Sequence, residues 1–307
     1  MEGILPLNKP AGMTSHDCVY KLRKILKTKK VGHTGTLDPD VTGVLPICIG
    51  RATKVAEYIT DAGKAYVGEV TIGFSTTTED ATGEIVEKKA VDRTITKRQI
   101  LTVFESLIGE IEQTPPMFSA VKVNGKRLYE YARQGIEVER PTRKVTIYKL
   151  QLLEEELTVE GETIKFRFQV DCSKGTYIRT LAVMIGEKLG YPAHMSKLVR
   201  VRSASFTIEE CFTLEEVQER MEKGEIDRVL FPLEKALSHL PKYFINDKVA
   251  EKVKNGALLP ISDTLAKSEG PIAMETGDGK VLAIYARHPE KQGVLKPVKV
   301  LRNEQDS

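Results

Sequence analysis

Apolar residues along this chain repeat with two different periods, and those periods predict most of its elements. Residues 3–7 form a short apolar run ending at Lys9 and Pro10, which predicts a strand. Thr14 to Asp17 has the layout of a capping box, with Asp a weaker third-position partner than Glu. Behind it Cys18, Val19, Leu22, Ile25 and Leu26 recur at helical spacing, opposite a face rich in Lys and Arg. Residues 32–43 hold three glycines and a proline, too many for a helix or strand interior, and predict a loop. Strands are predicted at 44–49, buried, and at 66–72. Thr96 can cap a helix in which Ile100, Val103, Phe104, Leu107 and Ile108 form one stripe. Residues 163–172 alternate cleanly, with Ile164, Phe166, Phe168, Val170 and Cys172 inward, as in a half-solvated antiparallel strand. Residues 176–189 return to helical spacing after Lys174 and Gly175.

Strands and helices mix here without the regular βαβ rhythm of a doubly wound fold, so the expected class is α+β. A boundary is expected near Leu237 to Lys242. Beyond it come a helix at 247–255, closed by Gly256, and short strands such as 281–286, the makings of a small β-rich module.

Composition narrows the picture modestly. With 307 residues, 41% hydrophobic and 29% charged, the chain can bury a real core. The net charge of +3, from 46 basic and 43 acidic residues, does not by itself indicate nucleic-acid binding. One basic cluster runs from Lys21 to Lys30, and a sparser one comprises Lys122, Lys126, Arg127, Arg133, Arg140, Arg143 and Lys144; taken alone, each reads as a solvated face. Cys18, Cys48, Cys172 and Cys211 are widely separated and suit small buried hydrophobes in a reducing compartment, not a disulfide or zinc framework. The N-terminal sequence lacks the pattern of a signal peptide, and no run of about 18 apolar residues is present, so no membrane span is expected and the cytoplasm is the expected location.

Candidate chemistry centres on GHTGTLDPDVTG, residues 32–43. Its glycines permit positive φ and close approach by a ligand, and Pro39 fixes the chain just after Asp38. By spacing alone, an ordinary tight loop in which Asp38 caps the following turn is the better reading. The loop also lacks the Lys-Ser/Thr ending of a phosphate-binding P-loop.

The surrounding blocks reverse that balance. The run from Gly32 to Lys54 resembles the catalytic motif of the TruB family of tRNA pseudouridine synthases. So, in the same order, do LNKPAGMTSHD (7–17), GKAY (63–66), QTPPMFSAVKVNGKRLYEYARQG (113–135), CSKGTYIRTLAVMIGEKLG (172–190) and AHMSKLVRVRS (193–203). The resemblance spans essentially residues 3–235. It implies a pseudouridine-synthase fold, a mixed and mainly antiparallel sheet with flanking helices, over residues 1–237. It also implies an RNA-binding insertion at about 113–144. NGALLP (255–260) and GKVLAIYA (279–286) resemble a PUA domain, which would make residues 238–307 a small RNA-binding β-barrel.

The resemblance further implies conversion of uridine 55 in the T-loop of tRNA to pseudouridine, with no metal and no cofactor. Asp38 falls on the family's essential aspartate, which attacks uracil C6 or ribose C1′ or assists a glycal route. Arg179 falls on its arginine partner, where a bidentate guanidinium would orient Asp38 and depress its pKa. Tyr66 matches a tyrosine that stacks on the flipped base and is a candidate for proton transfer. Tyr177 and Leu198 match pocket-lining positions. Lys9 matches a lysine of the first motif, expected as a neighbour of the substrate site. His33 matches a histidine that wedges into the RNA as the uridine leaves the stack. Lys122, Lys126, Arg127 and Arg133 are expected to meet RNA phosphates. Asp40 departs from the pattern, being acidic where an uncharged residue is expected. His16 and His194 receive no role. The expected protein is a stand-alone monomer that needs no obligate protein partner, its substrate being the T stem-loop. The competing readings are the catalytic subunit of a guide-RNA-directed synthase and an RNA-binding or RNA-folding protein without catalysis.

Overall fold

The computed structural model describes residues 1–92, 94–154, 156–262 and 270–303. The chain begins with β1 (Gly3–Lys9), α1 (Ser15–Ile25), β2 (Val31–His33), β3 (Thr42–Ile49), α2 (Ala56–Asp61) and β4 (Lys64–Ile72). A hairpin of β5 (Phe74–Thr76) and β6 (Ile85–Lys88) leads to α3 (Lys97–Leu107) and β7 (Gly109–Gln113). A smaller hairpin, β8 (Lys122–Val123) and β9 (Lys126–Arg127), runs directly into α4 (Leu128–Arg133). There follow β10 (Arg143–Leu152), β11 (Thr158–Glu160), β12 (Thr163–Cys172), α5 (Ile178–Leu189), β13 (Ala193–Ser203), β14 (Phe206–Thr207) and α6 (Leu214–Glu222). The C-terminal part comprises β15 (Lys242–Ile245), α7 (Asp247–Lys254), β16 (Leu259–Pro260), β17 (Ile272–Thr276), β18 (Val281–Arg287) and β19 (Val294–Val300).

The expected α+β class is what the chain adopts. Its main sheet runs β1-β3-β13-β4-β12-β10-β7, with β2, β14 and β11 attached to β3, β13 and β12. Its pairings are antiparallel except for β3 with β13. That parallel contact needs close backbones. Gly43, at φ +105, lies opposite Arg200, and a Cβ there would sit 2.2 Å from the Arg200 carbonyl oxygen. A second β-rich sheet, ordered β15-β17-β18-β19-β16, forms the C-terminal part.

The helix signals act as their chemistry dictates. The Thr14 hydroxyl accepts from the Asp17 N–H at 3.0 Å and the Asp17 carboxylate accepts from the Thr14 N–H at 2.9 Å, so the shorter Asp closes the capping box. Thr96 and Gln99 do the same for α3. Ile100, Val103, Phe104 and Leu107 are buried, but Ile108 is the C-cap and is exposed, because the helix ends before the stripe can include it. Phe104 packs edge-on against Phe168 at 6.3 Å, a burial worth about 1.5–3 kcal/mol for each ring.

Strand β3 lacks alternation because it is buried on both faces. Leu45, Ile47 and Ile49 join the core under α1, α3 and α5, whereas Val44 and Cys48 join a second core with Ile4, Val55 and Ile59. Ala273, Val281, Ile284 and Leu301 of the C-terminal part complete that second core. Polar ties cross the same seam, with Glu234 accepting from the Val281 N–H at 3.0 Å and pairing with Arg302 at 2.6 Å.

Two features place the site. The predicted loop at 32–43 is shorter than its glycines suggest, because Gly32 and His33 belong to β2 and Thr42 and Gly43 open β3. The predicted insertion leaves the sheet at Gln113 and returns at Arg143, and those two residues face each other across the β7–β10 pairing. The insertion is therefore a lobe carried on the end of one hairpin.

Candidate active site

Asp38 sits in the connection between β2 and β3, and three buried polar side chains hold that connection. The Lys9 ammonium donates to the carbonyls of Pro10 (2.8 Å), Met13 (2.5 Å) and Pro39 (2.8 Å). The Ser15 hydroxyl accepts from the Leu37 N–H at 2.9 Å, and Thr34 donates to the Pro46 carbonyl at 2.9 Å. Leu37 is buried, which anchors the residue before Asp38. The capping alternative does not hold: the contact with Val41 is made by the Asp38 backbone carbonyl, leaving the carboxylate to face Arg179.

Arg179, in the first turn of α5, meets Asp38 through Nε at 3.0 Å from Oδ2. Its Nη1 donates to the Thr78 carbonyl and its Nη2 to the Phe118 carbonyl, both at 2.9 Å. The expected bidentate pairing is thus corrected to a single contact, because backbone carbonyls occupy the other two nitrogens. The expected pKa is corrected as well. Burial pushes the Asp38 carboxyl above its ordinary value, Arg179 pulls it back only in part, and nearby Asp80 adds to the rise. Asp38 nevertheless keeps 42% of its side-chain surface open, while Arg179 keeps 7%, so a buried cation presents a recessed but reachable carboxylate.

A cavity of about 550 Å³ opens over this pair. Tyr66, Tyr177, Leu198 and Arg200 line it with Asp38 and Arg179. Tyr66 comes from β4 and is 7% exposed, and burial raises its phenol pKa while Arg200 opposes the rise. Tyr177 is fixed by Gln113, whose amide oxygen accepts from the Tyr177 N–H at 2.9 Å and whose amide nitrogen donates to the Tyr177 carbonyl at 3.2 Å. The cavity wall carries Lys64, Arg143, Lys144, Lys174, Arg179 and Arg200 against one carboxylate, Asp38, among the described residues. The whole-chain charge conceals this local excess, which suits a polyanion. Lys64 donates to the carbonyls of Thr60 (2.8 Å) and Ala62 (3.0 Å), and burial lowers its pKa to about 8.

Six of the expected residues lie outside the cavity lining. Lys9 is fully buried beneath the loop with its nitrogen spent on carbonyls, so it holds the loop that carries Asp38 and lies outside the cavity lining. His33 lies on β2 outside the cavity lining, half-buried, with Nδ1 unpartnered and its pKa lowered by burial. Lys122, Lys126 and Arg127 are exposed on the insertion hairpin, and Arg133 on α4 beside it. Arg127 and Arg133 lie over the Tyr129 ring, at 5.8 and 5.2 Å. His194 is a satisfied core residue, buried against Phe74 with Nδ1 3.0 Å from the Phe74 carbonyl. Cys18, Cys48 and Cys172 are buried as expected, whereas Cys211 is only partly so.

Sequence reasoning passed over Asp80, Gln113, Ser15, Lys64 and Arg200. Asp80 has its Oδ1 enclosed by the Thr78 hydroxyl (2.6 Å) and by the Thr82 N–H and hydroxyl (2.9 and 2.6 Å), and its Oδ2 lies 3.9 Å from Arg179. The Thr-rich run TTTEDAT was a turn signal that could have drawn attention to it.

Comparison with known proteins shows the family and the fold. Residues 23–178 match the model of the TruB family pseudouridylate synthase N-terminal domain, and residues 179–238 match that of the tRNA pseudouridylate synthase B C-terminal domain. The chain is 62% identical to tRNA pseudouridine synthase B of Geobacillus thermodenitrificans over 302 residues, covering 98% of this chain and all of that one. It is 58% identical to the Bacillus cereus protein of the same name over 306 residues, covering all of this chain and 99% of the relative. Among solved structures it superposes on one described as a Cbf5-Nop10-Gar1 complex, with a TM-score of 0.74 and 31% identity over 99% of this chain and 86% of the other. A second match, an H/ACA RNP bound to a substrate RNA containing 2′-deoxyuridine, gives 0.73 and 28% over 99% and 86%.

Proposed function

The chain belongs to the TruB family of pseudouridylate synthases, an isomerase acting on tRNA, and from that premise we propose that its target is uridine 55 of the T-loop and that Asp38 is the catalytic carboxylate. The observation that carries this reading is the 3.0 Å contact between Asp38 and the buried Arg179, under a cavity walled by Tyr66. A uridine flipped out of the stack would lie with its base against Tyr66 and Leu198 and its glycosidic bond over Asp38. Unstacking costs a few kcal/mol, and the exposed Arg143, Lys144 and Lys174 of the cavity wall offset part of it through the phosphates on either side.

Every route to breaking the bond between N1 and C1′ begins from an ionised, held carboxylate, whether it attacks C6 or C1′ or assists glycal formation. Arg179 supplies the charge that opposes protonation. Its contact with Phe118 also ties the insertion to the same point, so RNA closing the lobe would bear directly on the Asp38 partner. Lys122, Lys126, Arg127 and Arg133 are placed to meet the T-arm backbone. The sheet formed by residues 242–300 is proposed as a PUA-like RNA-binding module within residues 238–307, and the active unit as a monomer without obligate partners, in the cytoplasm. No helix among the described residues is long and apolar enough to cross a membrane.

The test is direct. Purified protein is incubated with an unmodified tRNA transcript, without guide RNA, partner protein or added metal, and pseudouridine is mapped at nucleotide resolution. Conversion confined to position 55 supports the proposal. Conversion at another position, or only with a guide RNA, contradicts it.

A further inference from the structure

Arg200 heads the fully buried side chains by size and is 1% exposed. It lies in β13 directly across from Tyr66 of β4, a register that puts both side chains on one face of the sheet, and both reach the cavity holding Asp38. Its Nε donates to the Val44 carbonyl at 2.7 Å, while Nη2 is buried with no hydrogen-bond partner. It acts electrostatically on Lys9, His33, Lys64, Cys211 and Tyr66. A guanidinium sealed from water with one nitrogen left unpartnered is costly. Its presence is understandable where an anion forms beside it during turnover. Of the groups it acts on, Tyr66 is the one that both lines the cavity and becomes an anion on losing a proton.

We propose that Arg200 is a positioning residue: it is the resident counter-charge for a phenolate of Tyr66, the proton-transfer candidate that the family resemblance implies, as that phenolate takes the C5 proton of the rejoined uracil. This rests on the reading of the chain as a tRNA pseudouridine synthase. The isomerisation exchanges a C1′–N1 bond for a C1′–C5 bond, so C5 must lose its hydrogen and N1 must gain one. The phenol first releases its proton to solvent through the open cavity. The phenolate then takes the C5 proton, the C–H electron pair stays in the ring to restore the C5–C6 double bond, and N1 takes a proton from solvent. Atoms and charge balance without a further reactant. Around Tyr66, Arg200 on β13 favours the phenolate, whereas burial, Cys172 on β12 and Asp38 in the loop oppose it. Arg179 on α5 adds positive charge to the same cavity.

The experiment measures single-turnover conversion of tRNA transcripts carrying hydrogen or deuterium at uridine C5, across a pH series, for wild type, Arg200→Lys and Arg200→Met. Affinity for tRNA is measured in parallel. The Met variant is expected to bind tRNA as wild type does but to turn over about 10²-fold more slowly near neutrality. Its isotope effect should grow to a primary value, and its rate should recover as pH rises, because an unassisted phenol ionises later. The Lys variant, which keeps the charge, should fall between. Equal loss at every pH with an unchanged isotope effect would reduce Arg200 to a packing role, and an unimpaired Met variant would remove it altogether. If the Met variant does not fold, the Lys variant decides by the same two readouts: a raised isotope effect with a displaced pH profile supports the proposal, and neither overturns it. A wild type that converts no uridine overturns the enzyme reading itself, whereas a converting wild type with indifferent variants overturns only the role of Arg200.

Discussion

Arg179 spends two of its nitrogens on backbone carbonyls and offers Asp38 only the third. That arrangement fixes the guanidinium in place but leaves the carboxylate less stabilised than a two-point pair would. It has a measurable consequence. If turnover needs ionised Asp38, the single-turnover rate should fall on the acid side through a pKa above the ordinary aspartate value of 3.8, since burial raises it. Arg179→Gln should move that limb to still higher pH, because the opposing charge is gone. An acid limb at or below 3.8, or one unmoved in the variant, contradicts the ion-pair account. At this scale much of the candidate site was legible. Asp38, Tyr66, Arg179, Tyr177 and Leu198 came from ordered motif blocks, and all five line one cavity. Asp80 and Arg200 were not legible, because their significance arises from a Thr-caged turn between β5 and β6 and from the cross-strand register of β4 and β13. Lys9 was legible as a residue but not in its direction, since nothing in the sequence says that its ammonium points down into the loop.

Among the elements, α1, α3, α5 and α7 were legible in the sequence whereas α2, α4 and α6 were not, and the alternating strand at 163–172 appeared with the predicted inward set. Boundaries failed where tertiary pairing overrode local composition. The glycines at 32 and 43 read as loop, yet both are in strands, one of them because a parallel neighbour leaves no room for a Cβ. The insertion is the element whose role is most exposed to test. Its hairpin and α4 bury Leu128 while leaving Lys126 and Arg127 in solvent, so replacing both with Ala should spare the fold. Binding of tRNA should weaken, and the slope of log affinity against log salt should fall by about one unit per lost phosphate contact. An unchanged slope would take these residues out of the interface.

For the whole molecule, the two sheets share a core. Ile4, Val44, Val55 and Ile59 on one side pack with Val281, Ile284 and Leu301 on the other, although the sequence suggested a small module set off by a boundary. The alternation of strand β3 between two cores was invisible in VLPICI, which is apolar throughout. Deleting residues 242–307 should therefore lower the melting temperature of the remainder, since each exposed aliphatic side chain forfeits about 1.5–3 kcal/mol. An unaltered melting curve for residues 1–241 would mean that the shared core contributes nothing. The whole fold nonetheless converges on one carboxylate, which Lys9, Ser15, Arg179 and the insertion all serve to place. The most direct measurement of that claim compares wild type with Asp38→Asn on an unmodified tRNA transcript, following tRNA affinity and pseudouridine formation in the same preparation. The account predicts near-wild-type affinity with no pseudouridine formed. Sustained conversion by the Asn variant would contradict it.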